Sequence, residues 1–298
     1  MKIKTPCSTS NLGPGFDTLG LALNRYLILT VELNKPQTRI TVEGNGKEHI
    51  AADETNLVYC AAKITAKKFK KNLPAFHLHL HNEIPAYGGL GGSGAAIAGG
   101  IFLANEILQL KLSREEMLNI AVSIEGHPDN VSAALMGGLT INCFDEERTV
   151  RCRSVKIEQP LSVITCSPHF QVQTKQARKI LPQQVSLQDA VTNIENVSSL
   201  VAALICGDVD ALRYATAEKL HEQYRAALIP GFNDVKKEAL NAGALSFNIS
   251  GAGPTVFSFA RNNEKEIGEA MQRAFSSHHQ HSSVEIMNIE NNGAMRCE

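Results

Sequence analysis

The sequence lacks several patterns that would assign it to a particular class of protein. Its formal net charge is −1 and it has no long run of like charges, which argues against a basic surface for nucleic acid. No apolar run approaches the ~20 residues of a membrane span, and no signal pattern is found near Met1. The seven cysteines are scattered, without a Cys-x-x-Cys pair, so they favour neither a disulfide framework nor a zinc site. These absences predict a soluble, cytoplasmic protein with no nucleic-acid partner and no membrane partner.

The most informative segment present is a glycine-rich run at 85–96, Pro-Ala-Tyr-Gly-Gly-Leu-Gly-Gly-Ser-Gly-Ala-Ala. It follows an alternation of apolar and polar residues at 76–81, which is typical of a strand with one buried face, and it leads into an alanine-rich apolar helix. Glycines let the backbone approach a ligand closely, and the free N–H groups of a helix N-terminus favour an anion. The segment therefore predicts a cradle for a phosphate group.

The same run contains a literal G-x-G-x-x-G at Gly89, Gly91 and Gly94, which also matches a dinucleotide-binding fingerprint. That fold needs a second parallel strand near residue 110, where the sequence instead ends one helix and opens another at Ser113. No lysine follows the glycines as in the common P-loop. A turn from strand to helix that binds no ligand remains an alternative.

Two further turn-rich segments accompany the glycine run. Residues 5–17 read Thr-Pro-Cys-Ser-Thr-Ser-Asn-Leu-Gly-Pro-Gly-Phe-Asp, and residues 247–255 read Phe-Asn-Ile-Ser-Gly-Ala-Gly-Pro-Thr. Asn11 and Asp17 flank the first turn, so both side chains could point into a shared pocket. Three such turns, each attached to a strand or helix, indicate a ligand site more strongly than one glycine loop alone.

Together these segments resemble the three signature motifs of the GHMP small-molecule kinases, in the same order. More narrowly, residues 10–20, 125–130 and 249–255 are similar to the homoserine kinase family, and the resemblance runs from Thr5 to about Ala260. It implies an α+β, two-domain GHMP kinase fold, with an S5-like N-terminal domain at 1–158, a ferredoxin-like C-terminal domain at 159–298 and the active site between them. Strands mixed with paired helices agree with two α+β halves.

The periodicity predicts the individual elements on which that fold would be built. It indicates a strand at 27–33, a hairpin at 145–148 and helical stretches near 187–205, 209–220 and 232–241. His77, His79 and His81 share one face of the strand at 76–81, which is the spacing of any half-exposed strand and only a weak sign of a metal site.

The resemblance implies ATP and Mg²⁺ as cofactors. Ser93 and Glu125 match the family's metal-ligating serine and glutamate, although Glu125 could also be a surface carboxylate at a helix end. The predicted ATP-binding residues are Asn56, Pro85, Ala86, Tyr87, Gly88, Gly89, Leu90, Gly91, Gly92, Ser93, Gly94 and Ala95. Asn56 could equally be a helix N-cap. Where the family loop usually reads Gly-Leu-Gly-Ser-Ser-Ala-Ala, this chain has Gly92 and Gly94 in place of the first serine and the first alanine.

For the acceptor, the resemblance implies the small molecule L-homoserine. An amino acid brings an ammonium, a carboxylate and a hydroxyl, which call for an acid, arginines and an amide. Asp17 suits the ammonium, Arg178 and Arg225 suit the carboxylate, and Asn11 and Asn130 could orient the hydroxyl. The predicted catalytic residues are Asn130, Thr174 and Arg178.

Related mevalonate-type kinases use an aspartate base, but the matching position here is Asn130, so the resemblance implies direct attack of the hydroxyl on the γ-phosphate. Asp129 is adjacent, yet neighbouring residues often point apart, and it is not assigned as a base. A GHMP kinase for a sugar or mevalonate and a non-catalytic nucleotide-binding regulator remain alternatives, and a homodimer is left open.

Overall fold

The computed structural model describes residues 1–297 and contains two β-sheets with helices packed on them, as expected of the α+β class. The strands are β1 (Lys2–Ser10), β2 (Leu19–Glu32), β3 (Arg39–Gly44), β4 (His77–Asn82), β5 (Leu139–Phe144), β6 (Val150–Val155), β7 (Ser162–Pro168), β8 (Asn248–Ile249), β9 (Val256–Ala260), β10 (Ser282–Asn288) and β11 (Met295–Arg296).

The helices connect these strands and cover the sheets. They are α1 (Leu57–Lys68), α2 (Gly92–Leu108), α3 (Arg114–Glu125), α4 (Asp129–Met136), α5 (Thr174–Lys179), α6 (Leu187–Cys206), α7 (Leu212–Ala215), α8 (Glu222–Arg225), α9 (Phe232–Asn241) and α10 (Glu264–Ser277). None of the helices within residues 1–297 combines the length and the apolar character needed to cross a membrane.

The first sheet has seven strands, with β11-β1-β2-β4-β3 side by side, β5 on β2 and β6 on β5. Only β3 and β4 are parallel, and β5 returns to β2 antiparallel after α2, α3 and α4. A Rossmann unit would need a parallel strand after α2, so the rejection of the dinucleotide-binding fold is confirmed. The alternation in β4 is also confirmed, since Leu78 and Leu80 are buried while His77, His79 and His81 are half-buried.

The second sheet has four strands in the order β10-β7-β9-β8, all antiparallel. The larger apolar core lies around the first sheet and reaches into α6, while a smaller core beneath the second sheet joins α9 and α10. The short strand β11 pairs with β1, so the chain returns to the first sheet after completing the second.

Local signals fix the ends of the elements around the site. Ser113 and Glu116 form a capping box at the start of α3, and Gly126 ends that helix in the left-handed conformation. The predicted hairpin is confirmed between β5 and β6, where Asp145 accepts hydrogen bonds from the N–H groups of Glu147 and Thr149. The end of α3 at Glu125 and the start of α4 at Asp129 are therefore only four residues apart in the chain.

Two predicted elements differ from the structure. The strand predicted at 27–33 is only part of the 14-residue β2, because residues 19–23 are buried throughout and show no alternation. The helix predicted at 209–220 is wrong: a 3₁₀ turn and the four-residue α7 occupy its first half. The Glu218 carboxylate then accepts from the N–H groups of Leu220, His221 and Glu222, which starts a separate turn.

Candidate active site

A cavity of about 530 Å³ collects the three turn-rich segments on one surface. Its wall contains the glycine loop before α2, the turn before α1, the start of α4, helix α5 with Val172 just before it, and the turns at 11–17 and 251–253. Nearly all the predicted site residues line it. The exceptions are Tyr87, Gly94 and Ala95. A volume of this size suits a small-molecule site.

The glycine loop is held in shape by contacts from both halves of the chain. Gly88, Gly89 and Gly91 have φ of 95°, 87° and 65°, values that favour glycine. The hydroxyl of Ser250 donates to the carbonyl of Gly89 at 2.5 Å, and that of Thr255 donates to Gly88 at 2.5 Å. The loop carbonyls are therefore turned toward the third motif, and the free N–H groups at the start of α2 open toward the cavity.

Gly91 marks the closest packing in this loop. A Cβ there would lie 2.1 Å from Ser8 Oγ and 2.8 Å from Asn130 Oδ1, whereas a Cβ on Gly92 would have no atom within 4 Å. The loop thus reaches the start of α4 only because residue 91 has no side chain.

The predicted metal ligands lie together. The hydroxyl of Ser93, in the first turn of α2, donates to Glu125 Oε1 at 2.7 Å, at the end of α3. Among the described residues no group of three or more His, Cys, Asp and Glu side chains is placed to hold a metal ion. A hydroxyl and a carboxylate are hard oxygen donors, and Mg²⁺ commonly takes one or two protein oxygens and fills the remaining positions with phosphates and water. The pair fits such an ion beside a bound nucleotide.

Asn56 is the N-cap of α1, as the sequence allowed. Its Oδ1 accepts from the N–H groups of Val58 and Tyr59, and its Nδ2 donates to the Ala51 carbonyl. The residue forms part of the cavity wall, but its side-chain polar groups are all engaged within the protein. An adenine contact at this position stays a prediction.

Tyr87, Gly94 and Ala95 lie next to the cavity without lining it. The Tyr87 ring stacks on His169, with centroids 4.3 Å apart and planes 14° apart. Gly94 packs against Asn130, where a Cβ would come within 2.9 Å of the Asn130 Cβ. Their roles in nucleotide binding stay predictions, and Gly94 is seen to make room for α4.

At the opposite end of the cavity, Asp17 and Arg178 are paired with each other. Arg178 Nη1 donates to Asp17 Oδ2 at 2.8 Å and Nη2 donates to Oδ1 at 2.7 Å, a bidentate ion pair. The hydrogen bond that Arg178 donates to Asp17 raises the pKa of Arg178 above its ordinary value. The sequence predicted both residues at the acceptor site, but their mutual bond was not foreseen.

Asn11 supports this ion pair. Its Oδ1 accepts from the N–H of Asp17 at 3.1 Å, and its Nδ2 donates to the Gly251 carbonyl at 3.0 Å. Asp17 itself has φ of 54°, an uncommon conformation that the Asn11 bond holds in place. Asn11 therefore connects the first and third motifs, and it is buried with only 2% of its surface exposed.

Arg225 is also 2% exposed, although it lines the cavity. Its Nε donates to the Ala177 carbonyl at 3.2 Å and its Nη1 to the Gly251 carbonyl at 2.9 Å. Burial lowers the pKa of Arg225, and the nearby positive charge of Arg178 lowers it further. No carboxylate among residues 1–297 forms an ion pair with this guanidinium.

Phe16 is a site residue that the sequence reasoning missed. The guanidinium carbons of Arg178 and Arg225 lie 5.7 Å and 5.1 Å from the centre of its ring, and the same ring stacks on His221 at 4.9 Å. An aromatic face attracts cations, so one ring holds two like charges close together. An aromatic residue between a turn glycine and Asp17 was the only signal for it in the sequence.

The second motif forms a hydrogen-bonded group at the start of α4. Asn130 Oδ1 accepts from Ser8 Oγ at 2.9 Å, while its Nδ2 donates to Ser10 Oγ at 3.0 Å and to Asp129 Oδ1 at 3.1 Å. The assumption that Asp129 and Asn130 point apart is therefore wrong. At the first residue of α4, the Asp129 carboxylate accepts hydrogen bonds from both the backbone N–H and the side-chain amide of Asn130.

His127 is the second missed residue, and it lies 2.7 Å from Asp129 Oδ1 through its Nδ1. Burial acts to lower the pKa of His127, but the hydrogen bond and charge of Asp129 outweigh burial and leave the pKa raised. Thr174 begins α5 and also lines the cavity, four residues before Arg178, so the two residues share one face of that helix.

The comparisons with known proteins agree with this geometry. Residues 56–138 match the family model described as the GHMP kinases N terminal domain, and residues 200–277 match the GHMP kinases C terminal model. The chain is 41% identical to a homoserine kinase of Caldanaerobacter subterraneus subsp. tengcongensis, over 99% of this chain and 94% of that protein.

Solved structures give the same grouping. The crystal structure of homoserine kinase from Cytophaga hutchinsonii matches with a TM-score of 0.86 at 30% identity, covering 99% of this chain and 96% of that one. An L. major mevalonate kinase crystallised with R-mevalonate matches with a TM-score of 0.71 at 16% identity, covering 98% and 96%, and shares the fold alone. The predicted two-domain GHMP kinase fold is confirmed, and membership of this kinase family supports ATP as the phosphoryl donor. The chain belongs to the GHMP kinases, and within them to the homoserine kinase family.

Proposed function

We propose that this kinase transfers the γ-phosphoryl group of ATP to the side-chain hydroxyl of L-homoserine, giving O-phospho-L-homoserine for threonine biosynthesis. The observation that carries the proposal is the composition of one cavity. An anion cradle lies at one end, and at the other are the carboxylates of Asp17 and Asp129 and the guanidiniums of Arg178 and Arg225. That set of charges is complementary to the ammonium and carboxylate of an amino acid.

At the nucleotide end, the N–H groups at the start of α2 would receive the phosphates. Ser93 and Glu125 would hold Mg²⁺, because their oxygens are adjacent and open into the cavity. When bound, that ion would neutralise phosphate charge and orient the γ-phosphate toward the acceptor. The wall residues of the glycine loop would exclude water from the transferring group.

At the acceptor end, the substrate would lie between Asp17 and the two arginines, with its hydroxyl directed at the γ-phosphate near Asn130 and Thr174. Asn130 is fixed by Ser8 and Ser10, so it offers a rigid surface against which the hydroxyl is positioned. No side chain is assigned to take the hydroxyl proton. Rate enhancement would then come from positioning and from stabilising charge in the transition state.

Two other functions fit less well. A sugar brings no charge to this end of the cavity, and mevalonate brings a carboxylate but no ammonium, so neither acceptor matches both the arginines and Asp17. A nucleotide-binding regulator would not need the adjacent Ser93 and Glu125, which are suited to transfer chemistry.

A coupled assay of ADP release tests the proposal. It would be run with L-homoserine, mevalonate, galactose and no acceptor, at equal concentrations. ADP release that depends on homoserine is the expected result. Stimulation by mevalonate or galactose equal to that by homoserine, or no stimulation by homoserine, would overturn the assignment.

The absence of a base can be tested separately with two carboxylate variants. Glu125→Gln should reduce kcat by on the order of 100-fold, since a proposed metal ligand is lost. Asp129→Asn keeps an oxygen that can accept from the Asn130 N–H, and it should retain substantial turnover. A loss in Asp129→Asn as large as that in Glu125→Gln would contradict direct attack.

A further inference from the structure

We propose that the Asp17–Arg178 ion pair is a charge gate over the acceptor site, opened at low cost only by a ligand that carries both an ammonium and a carboxylate. The inference rests on the proposed function and names what selects its substrate class. It concerns the contact between the two residues, in addition to the contacts each would make with substrate.

Asp17 and Arg178, the two residues predicted to bind the charges of the substrate, are already bonded to each other. Both hydrogen bonds of the pair are 2.8 Å or shorter, and both carboxylate oxygens of Asp17 are used. The side chains are 34% and 37% exposed, so each retains some access to the cavity. A ligand that takes over this bidentate contact with either residue must therefore displace the other residue from it.

The two cations of the acceptor site have different partners. Within residues 1–297, Arg225 donates to the carbonyls of Ala177 and Gly251 and to the ring nitrogen of His221, and it forms no ion pair. Arg178 and Arg225 face the same Phe16 ring, which brings their guanidiniums near each other. A carboxylate at this place would contact an unpaired cation first and would compete with Asp17 for Arg178.

The number of charges on the ligand then decides the cost of opening. A zwitterion replaces one ion pair with two, because its carboxylate takes the place of Asp17 on Arg178 and its ammonium takes the place of Arg178 on Asp17. A ligand with one charge forms one new pair and leaves the other protein charge in the cavity without its partner, which is costly. Selection for amino acids would thus exceed what either contact supplies alone.

Two analogues isolate the two charges. 4-Hydroxybutanoate is homoserine without the ammonium, and 3-aminopropan-1-ol is homoserine without the carboxylate. Their affinities would be measured by ligand-observed NMR titration with the full chain saturated with a non-hydrolysable ATP analogue. Wild-type protein should bind both far more weakly than homoserine.

Removing one member of the ion pair by mutation should then raise the affinity for an analogue that carries only one charge. Asp17→Asn frees Arg178, so 4-hydroxybutanoate should bind ~10-fold more tightly than to wild type while homoserine binds on the order of 100-fold more weakly. Arg178→Gln should give the mirror result, with tighter binding of 3-aminopropan-1-ol. If Asp17 and Arg178 acted only as separate contacts, neither variant would gain affinity for an analogue that never touched the removed group.

Removing any negative charge from the cavity could also strengthen the binding of an anion such as 4-hydroxybutanoate. The variant Asp129→Asn controls for this effect. Asp129 lies in the same cavity and its charge acts on both Arg178 and Arg225, but it makes no hydrogen bond to Arg178. The proposal requires the gain in Asp17→Asn to exceed that in Asp129→Asn by several-fold. Thermal unfolding of each variant would verify that it is folded.

The outcomes separate this proposal from the proposed function. If wild-type protein phosphorylates homoserine but neither gate variant gains affinity for its analogue, or Asp129→Asn gains as much as Asp17→Asn, the gate is overturned while the function stands. Absence of homoserine turnover in wild type would instead overturn the function.

Discussion

The two ends of the cavity are built in different ways. The nucleotide end comes mainly from one continuous segment, residues 85–95, and its features are backbone conformation and free N–H groups. The acceptor end is assembled from side chains at residues 11–17, 129–130, 174–178 and 225, which are distant in sequence. A short motif can specify the first kind of site, whereas the second exists only after both halves of the chain have packed.

The third motif joins the two ends. Ser250 and Thr255 bond to the carbonyls of the glycine loop, while the Gly251 carbonyl accepts from Asn11 and Arg225. Residues 250–255 therefore shape the phosphate cradle on one side and position acceptor groups on the other. A change at one end of the cavity should remain local only if it leaves this shared turn in place.

The largest effect is expected at Arg225, where the acceptor end depends on one buried cation. Arg225→Ala should weaken homoserine binding by about 2–4 kcal/mol, because the desolvated substrate carboxylate would lose one of its two cationic partners. Arg225→Lys keeps the charge but loses the forked geometry and should cost less. Homoserine KM and nucleotide affinity, measured separately, check this.

The carboxamide analogue of homoserine provides the control for Arg225. It lacks the negative charge and should be a poor substrate of wild type, and Arg225→Ala should discriminate much less between acid and amide. An equal loss for both compounds would show that Arg225 acts only by bonding to the carbonyls of Ala177 and Gly251.

Beside the acceptor end, Glu222 in the short helix that carries Arg225 should make stability depend on pH. Burial raises the pKa of Glu222 to about 7 from 4.5, and its Oε1 accepts from Asn248 Nδ2 and from the Ile249 N–H. Since the unfolded chain ionises at the lower pH, stability should fall as pH rises from 4.5 to 7 and level off above. The full effect is about 3 kcal/mol.

Denaturant unfolding of wild type and Glu222→Gln across that range checks this prediction. Neighbouring His221, whose pKa burial lowers to about 3, contributes the opposite slope, because stability falls as pH drops from 6.5 toward 3. The difference between the two curves cancels the histidine contribution. A difference that stays constant with pH would mean that Glu222 titrates normally in the folded protein.

At the nucleotide end, Gly91→Ala tests whether backbone shape alone defines the cradle. The new Cβ would collide with Ser8 Oγ at 2.1 Å in a conformation that favours glycine, so the loop must shift. A displacement of this kind should lower kcat/KM for ATP by on the order of 100-fold. The matched variant Gly92→Ala has open space around its Cβ and should keep the kcat/KM of wild type for ATP.

Much of the fold and the nucleotide end could be predicted because their signals are local. The alternation in β4, the capping box at Ser113 and the glycine run each depend on neighbouring residues. The beginning of β2 was missed because burial on both faces removes the alternation that marks a strand. The prediction of a helix at 209–220 failed because the Glu218 carboxylate accepts from three backbone N–H groups, which periodicity does not show.

The acceptor end was predicted only as a set of residues, through the family resemblance. Its arrangement depends on long-range contacts that no local pattern encodes, such as the bond from Arg225 to the Gly251 carbonyl. The pairing of Asp17 with Arg178 likewise joins residues that are 161 positions apart in the chain. Sequence reasoning could name these charges but could not show that they neutralise each other.

The smallest effect is expected from Gly92→Ser, which restores the serine usual in the family loop. Residue 92 begins α2, lines the cavity and has open space where a Cβ would stand, with no atom within 4 Å, so a hydroxyl could reach a phosphate without displacing anything. One added hydrogen bond should contribute about 1 kcal/mol, a gain of a few-fold in ATP affinity. Because Gly92→Ala makes the same change in backbone freedom without a hydroxyl, the ratio of the two ATP affinities isolates the contribution of the oxygen. Equal affinities would mean that the backbone N–H groups already saturate the phosphates, and that the cradle needs no side chain at this position.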